Sequence, residues 1–229
     1  HLPLTAIQHP WLREILQHKK LLKDGLTRYA SPLNIHCLTP FQENIHAFKE
    51  VFSQYGIKHQ VYFARKANKS KCFVREAKKL NIGVDTASYR ELAQALELGL
   101  DANHLVCTAA VKNRKLLDLA LDYHIEIAVD NRDECMLIQQ LAREKNTRAR
   151  VNVRISGFHF VNQIMPSRFG FDMKEVPALL AETRAGEAFD RLDYLGLHFH
   201  LNGYSIPQRA EALLQSLELI AQLNLANFN

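Results

Sequence analysis

The sequence predicts an α/β fold, most simply a (β/α)8 barrel of the TIM type of which about six strands are present. Apolar, β-branched runs recur about every 22 residues, with starts near 59, 81, 104, 126 and 149. Amphipathic stretches with helical spacing separate these runs, and repeated strand–helix units form a parallel sheet covered by helices. A doubly wound open sheet has the same rhythm, but its glycine-rich first turn, GxGxxG, is absent.

Composition excludes several classes of protein. The 229 residues are 47% hydrophobic and 23% charged, which is typical of a globular protein and not of a disordered chain. The net charge is +5, but the basic residues are scattered along the chain, so we expect no nucleic-acid partner. No apolar run reaches the roughly eighteen residues of a membrane span, and the first residues lack the continuous apolar h-region of a signal peptide. We therefore expect a cytoplasmic protein without a membrane partner. The four cysteines lack CxxC spacing, which favours free thiols.

The N-terminal part predicts helices. Residues 1–30 form a helical extension, in which Gly25 supplies a stop. A short extended stretch follows Pro32, and a helix opens at Thr39, where Thr39 caps it and Gln42 completes a capping box. We therefore predict two parts, an extension over 1–30 and a barrel over 31–229.

Six strands are predicted for the barrel, together with one long loop and two further helices. The strands are His59–Ala64, Ile82–Asp85, His104–Cys107, Glu126–Val129, Arg150–Arg154 and Tyr194–Phe199. Ser156–Asp172 is predicted to be a functional loop, and helices are predicted over 176–184 and 207–223. Because a closed barrel needs about 250 residues and eight strands, we expect this barrel to be incomplete.

Barrel enzymes place their active sites at the carboxyl ends of the strands. Lys66 directly follows the first apolar run, and an amine there can form a Schiff base, although a lysine after a strand is more often an ordinary surface residue. His198 and His200 are two residues apart and share one face of a strand. From spacing alone they can bind a metal, with Asp85 or Asp130 as a further ligand, stack on a cofactor, or be structural.

A set of ordered motifs is similar to those of one enzyme family. Tyr62-Phe63-Ala64-Arg65-Lys66-Ala67-Asn68 resembles the Y-A-V-K-A-N segment of the ornithine/diaminopimelate decarboxylase family, which are fold-type III pyridoxal-phosphate enzymes. Six further motifs follow in the family's order: Gly83-Val84-Asp85-Thr86-Ala87-Ser88 with Glu91, Val111-Lys112, Val129-Asp130-Asn131 with Glu134, Arg154, Ser167-Arg168-Phe169-Gly170, and Gly196-Leu197-His198-Phe199-His200. Each motif alone is unspecific, but seven in order over about residues 30–225 are a strong signal.

The resemblance implies an alanine racemase-like barrel, a pyridoxal 5'-phosphate cofactor, and decarboxylation of a basic or dicarboxylic amino acid by a homodimer. It implies that Lys66 holds the cofactor as a Schiff base and that His200 stacks on its ring. Asp85 would lie near Lys66 and Arg154 near the cofactor. Asn68 and Ser88 would shape the pocket, and no metal is implied.

Two residues depart from the family pattern. Gly203 stands where the family has a serine whose hydroxyl binds the phosphate, so Gly203 would offer only its backbone N–H. Arg65 stands where the family has a small apolar residue. Both indicate a divergent subgroup.

The family's glycine-rich phosphate loop, its glutamate partner for the pyridinium nitrogen and its C-terminal β-domain follow the sixth strand. We therefore expect them in a longer protein. Three alternatives remain: an amino-acid racemase, a single-domain carrier of the cofactor from the same superfamily, and a non-catalytic decarboxylase homologue that acts as a regulator.

Overall fold

The computed structural model describes residues 9–186, 188–203 and 205–223. One unit ends at Val61 and the other begins at Tyr62. The division predicted after residue 30 stays a prediction. No helix in the described ranges combines the length and the apolar character needed to cross a membrane.

Over its described residues, 9–61, the first unit contains three helices, α1 (Pro10–Gln17), α2 (Lys19–Tyr29) and α3 (Thr39–Gln54). The predicted stop at Gly25 is wrong, because α2 continues to Tyr29 and ends at Ala30, whose φ is 65°. A Cβ at Gly25 would lie 3.0 Å from Cδ2 of Leu33. The glycine therefore makes room for Leu33 and does not end the helix.

The capping box predicted at Thr39 is also wrong. Helix α3 already includes Thr39, its N-cap is Leu38, and no side chain caps it. The backbone N–H of Gln42 donates instead to the carbonyl of Leu38 at 2.9 Å. Pro40 does occupy the first turn, where its missing N–H costs nothing.

The second unit alternates strands and helices. Its strands are β1 (Tyr62–Ala64), β2 (Gly83–Thr86), β3 (Leu105–Cys107), β4 (Glu126–Val129), β5 (Ala149–Ser156), β6 (His159–Phe160), β7 (Gln163–Ile164), β8 (Phe171–Asp172) and β9 (Leu192–His198). Its helices are α4 (Lys71–Lys79), α5 (Tyr89–Glu97), α6 (Arg114–Asp122), α7 (Arg132–Glu144), α8 (Val176–Arg184) and α9 (Ile206–Gln222). The helices predicted over 176–184 and 207–223 are confirmed as α8 and α9.

The six predicted strands form one parallel sheet in the order β1-β2-β3-β4-β5-β9. Their register pairs Ala64 with Asp85 and Arg154 with His198, so the carboxyl ends of neighbouring strands lie side by side. β9 and β1 are not paired, so the described part of the barrel is open. The α/β class and the incomplete barrel are therefore confirmed.

Apolar strand residues are buried because helices cover the sheet. Val84, Ile127 and Val151 are fully buried on the strands, and Leu92 and Leu117 are fully buried on the helices. The strands are short, so the chain leaves this core within a few residues. Polar side chains therefore begin directly at the strand ends.

The segment Ser156–Asp172, predicted to be a loop, contains more structure than expected. β6 and β7 form an antiparallel hairpin, and β8 pairs with the end of β5. Gly170 has a φ of 87°, and a Cβ there would lie 2.8 Å from the carbonyl oxygen of Arg154. Only glycine lets this segment approach β5 so closely, and the segment is thereby fixed against the end of that strand.

Candidate active site

Lys66 lies on a tight turn directly after β1. A single 3₁₀ turn spans Arg65–Ala67, and the N–H of Asn68 donates to the carbonyl of Arg65 at 3.1 Å. The side-chain oxygen of Asn68 accepts a hydrogen bond from the N–H of Ser70 at 3.0 Å. The backbone is thus fixed on both sides of Lys66, whose side chain is exposed.

Arg65 points the opposite way, into the protein. Its side chain is buried, with 1% exposure, and its Nη1 donates to the carbonyl of Glu91 at 2.6 Å. Burial lowers the pKa of the guanidinium, while the negative charge of Glu91 opposes this shift. Sequence comparison marks Arg65 only as a departure, whereas the structure gives it a defined place behind the turn.

Asp85 is the third residue of β2 and pairs with Ala64, the last residue of β1 before the turn that carries Lys66. The hydroxyl of Thr108 donates to Oδ1 of Asp85 at 2.6 Å. Burial raises the pKa of the Asp85 carboxyl, and the Thr108 hydrogen bond and the positive charge of Lys66 act in the opposite direction. Lys66 and Asp85 therefore interact electrostatically, and the role of Asp85 toward the cofactor stays a prediction.

Ser88 caps a helix. It is the N-cap of α5, and its Oγ accepts a hydrogen bond from the N–H of Glu91 at 3.3 Å. Oε2 of Glu91 accepts a hydrogen bond from the N–H of Ala87 at 2.9 Å. This exchange fixes the path of the chain just after Asp85.

Buried charges lie at the ends of β3 and β4. Nζ of Lys112 lies 2.9 Å from each carboxylate oxygen of Glu134, and the Lys112 side chain is fully buried. The same Nζ lies 3.6 Å from Asp130, whose N–H donates to Glu134 at 2.8 Å. Burial raises the pKa of Glu134, and the charge of Lys112 opposes the shift.

Arg154 extends this network to β5. Its Nη1 lies 3.2 Å and 3.4 Å from the two carboxylate oxygens of Asp130. Its guanidinium carbon lies 4.6 Å from the centre of the Phe169 ring, which the 156–172 segment brings over it. Two cations and two carboxylates therefore form a buried polar layer, the strand-end network, defined by Lys112, Asp130, Glu134 and Arg154.

His198 and His200 close the site from the last strand. Burial, together with the positive charges of Arg154 and Lys66, lowers the pKa of His198 to about 4. Partial burial and the charges of Lys66 and Arg154 also lower the pKa of His200, which is exposed to solvent. Lys66 follows β1, whereas His198 ends β9 and His200 lies two residues beyond it. Because the charge of Lys66 acts on both histidines, the carboxyl ends of these two outer strands lie near each other, at one mouth of the open barrel.

Gly203 lies in the turn after β9 and has a φ of 86°, a conformation that a serine adopts only with strain. A Cβ at this position would meet no atom within 4 Å. Its carbonyl oxygen accepts a hydrogen bond from the Arg209 guanidinium at 3.1 Å. Backbone geometry therefore accounts for the glycine, and Arg209 brings a further positive charge towards His200.

The structure brings together Lys66, Asp85, Arg154, His198 and His200 at one mouth of the sheet. It does not show Ser88 or Gly203 bonded to these side chains. Sequence reasoning missed the role of Arg209, because nothing in the pattern of α9 marks it. It also gave Lys112 and Glu134 no role beyond their motifs and considered Asp130 only as a possible metal ligand, although a charged residue directly after β4 was a usable signal.

Metal ligands were the rival explanation of the histidines. Among the described residues, no group of three or more His, Cys, Asp or Glu side chains is arranged to hold a metal ion. The expected absence of a metal stays a prediction.

Comparison with known proteins identifies the family. Residues 38–224 match the model of the pyridoxal-dependent decarboxylases, pyridoxal binding domain. The chain is 33% identical to an uncharacterized protein, y4yA, of Sinorhizobium fredii over 218 residues, which are 93% of this chain and 45% of that protein. It is 30% identical to a diaminopimelate decarboxylase of Bacillus methanolicus over 182 residues, which are 76% of this chain and 42% of that enzyme.

Solved structures show the same fold. The diaminopimelate decarboxylase from M. jannaschii aligns with a TM-score of 0.77 at 22% identity, over 87% of this chain and 49% of that chain. The lysine decarboxylase from Selenomonas ruminantium aligns with a TM-score of 0.74 at 23% identity, over 92% and 53%.

The chain spans less than half the length of the two curated relatives described, which agrees with a match to one domain of larger proteins. The match covers all elements from β1 to α9 and includes every residue of the mouth described above. The motif order, the open parallel barrel and the family match agree. The chain belongs to the pyridoxal-dependent decarboxylases and contains their pyridoxal-binding domain, whose cofactor is pyridoxal 5'-phosphate.

Proposed function

We propose that Lys66 binds pyridoxal phosphate covalently and that the full-length protein decarboxylates a basic or dicarboxylic amino acid, as a homodimer. The observation that carries the proposal is the position of Lys66. Its exposed amine follows β1 on a fixed turn, beside Asp85 and within electrostatic range of His198 and His200.

The residues at this mouth fit the cofactor chemically. A primary amine is the group that reacts with its aldehyde carbon, and the exposed imidazole of His200 can stack on a flat ring. Arg154 and Arg209 supply positive charge for a phosphate, and the backbone of Gly203 leaves open space where a side chain would stand. Arg154, Ser88 and Gly203 are proposed as cofactor-binding residues together with Asp85.

Bound pyridoxal phosphate would supply the electron sink that stabilises the carbanion left when carbon dioxide departs. The protein's own groups orient the reactants and hold protons. Burial raises the pKa of the Asp85 carboxyl, so Asp85 exchanges a proton closer to neutral pH than an exposed aspartate does. His198 stays neutral above about pH 4 and can offer a hydrogen bond without adding charge beside Arg154.

The substrate class rests on the relatives. Several are named diaminopimelate decarboxylase, and one from Phocaeicola vulgatus is named biosynthetic arginine decarboxylase. These names indicate amino acids with a second charged group, which supports a basic or dicarboxylic substrate.

An assay of carbon dioxide release by the full-length protein tests the proposal. The panel contains diaminopimelate, ornithine, lysine, arginine and glutamate. Lys66→Ala should abolish release, whereas Lys71→Ala, which alters another exposed lysine at the start of α4, should leave it unchanged. Inversion at the α-carbon without carbon dioxide release would replace decarboxylation by racemisation. Absence of both reactions across the panel would favour a carrier or a regulator.

A further inference from the structure

Arg65 links the turn that carries Lys66 to the next helix. Its Nη2 donates to the carbonyl of Lys69, two residues beyond the turn, at 3.3 Å and also to the side-chain oxygen of Gln94 on α5. Its Nη1 donates to the carbonyl of Glu91, one turn earlier on α5, at 2.6 Å. One guanidinium therefore joins the segment from Arg65 to Lys69, which contains the turn, to α5.

Glu91 adds a second link at the same place. Its Oε1 lies 3.5 Å from Nζ of Lys69, and its other carboxylate oxygen accepts from the N–H of Ala87. Lys69 is thus held at its backbone by Arg65 and at its side chain by Glu91. Lys66 therefore lies between two anchored residues, Arg65 and Lys69.

Burial of the Arg65 guanidinium costs free energy that the negative charge of Glu91 offsets only in part. The hydrogen-bond acceptors of Arg65 are two backbone carbonyls and one amide oxygen, none of which carries a charge. Its buried Nε has no hydrogen-bond partner among the described residues. Well-packed apolar residues often replace buried charged groups without loss of stability. Stability alone therefore does not explain a buried arginine at position 65.

We propose that Arg65 is a positioning residue that fixes the turn so that Nζ of Lys66 faces the mouth of the barrel. The inference rests on the proposed function of Lys66. A long exposed side chain samples many rotamers, and a fixed backbone restricts the volume that its amine reaches. Loss of the anchor should therefore slow covalent capture of the cofactor by Lys66.

The rate of capture in full-length protein freed of cofactor is the test. Pyridoxal phosphate is added, samples are reduced with borohydride at intervals, and label on the Lys66 peptide is measured by mass spectrometry. Arg65→Met should slow labelling at least tenfold, and Gln94→Leu, which removes one acceptor, several-fold. Gln94→Glu should label at the wild-type rate or faster, because a carboxylate keeps the acceptor and adds the opposite charge.

A core truncation separates positioning from general destabilisation. Leu117→Ala removes a fully buried side chain of α6, outside the turn, and should lower the melting temperature while leaving the labelling rate unchanged. If Arg65→Met does not fold, Gln94→Leu against Gln94→Glu decides the matter. Wild-type labelling rates in both Arg65→Met and Gln94→Leu, or equal slowing in Leu117→Ala, would overturn the role of Arg65. Label on a different lysine in the wild-type protein would overturn the proposed function itself.

Discussion

Replacing Lys112 by methionine removes one cation from the strand-end network. Its ammonium is fully buried and contacts both carboxylate oxygens of Glu134 at 2.9 Å, so the substitution leaves a buried carboxylate without its partner. Breaking such a pair costs about 3–5 kcal/mol. For a chain of this size, that loss corresponds to a fall in melting temperature of roughly 6–20 °C.

The effect should depend on pH with a definite sign. Burial already raises the pKa of Glu134, and the charge of Lys112 opposes that shift, so Lys112→Met raises the pKa further. A carboxyl group with a raised pKa in the folded protein binds its proton more tightly there than in the unfolded chain. Protonation at low pH therefore favours the folded state. The destabilisation by Lys112→Met should therefore be greatest near neutral pH and smaller at pH values below the raised pKa.

Denaturant unfolding of wild type, Lys112→Met, Glu134→Gln and the double variant measures these energies. The double variant removes both charges but keeps an oxygen that can accept from the N–H of Asp130, so it should recover at least half of the loss. A single-variant loss below about 1 kcal/mol, within the range of an exposed pair, would refute the account of a buried ion pair. So would a double variant as unstable as Lys112→Met.

Three further predictions concern the site and the core. Burial and neighbouring charges lower the pKa of His198 to about 4, so the NMR titration of its ring should have its midpoint near pH 4. The free energy of unfolding that the neutral His198 contributes should be lost as the pH falls from 6.5 towards 4. A midpoint near pH 6.5 would contradict this prediction. Burial raises the pKa of Cys107 to about 11 and of Cys135 to about 12, so alkylation of the native protein should modify Cys37 and Cys72 first, as peptide mapping would show. Gly203→Ala should lower the free energy of unfolding by about 1–2 kcal/mol, because its backbone is left-handed. Gly170→Ala should lower it clearly more, because the new Cβ would also meet the carbonyl of Arg154. Equal losses of the two variants in thermal unfolding would contradict the packing described.

The strands were predictable because each is a short, mainly apolar run that alternates with a stretch of helical spacing. Glu126–Val129 was predicted with its observed bounds, and the others differ by a few residues at their ends. Lys66, Asp85 and Arg154 were identified because charged residues that follow such runs lie at one edge of a parallel sheet. Their roles toward the cofactor stay predictions.

The errors came from contacts between residues distant in sequence. Gly25 has the sequence character of a helix stop, but the packing of Leu33 explains its presence inside α2. The ladder between β8 and β5 depends on Gly170, which no periodic pattern reveals. Arg65 follows a strand like Lys66, and only the position of Glu91 and Gln94 shows that it turns inward.

The most direct test of the account locates the cofactor on the chain. Full-length protein purified with pyridoxal phosphate is reduced with borohydride, digested and analysed by mass spectrometry. The reduced cofactor mass should appear on the peptide that contains Lys66, and it should be lost in Lys66→Ala but not in Lys71→Ala. Label on another lysine, or an unmodified Lys66 peptide in protein that retains the cofactor, would contradict it.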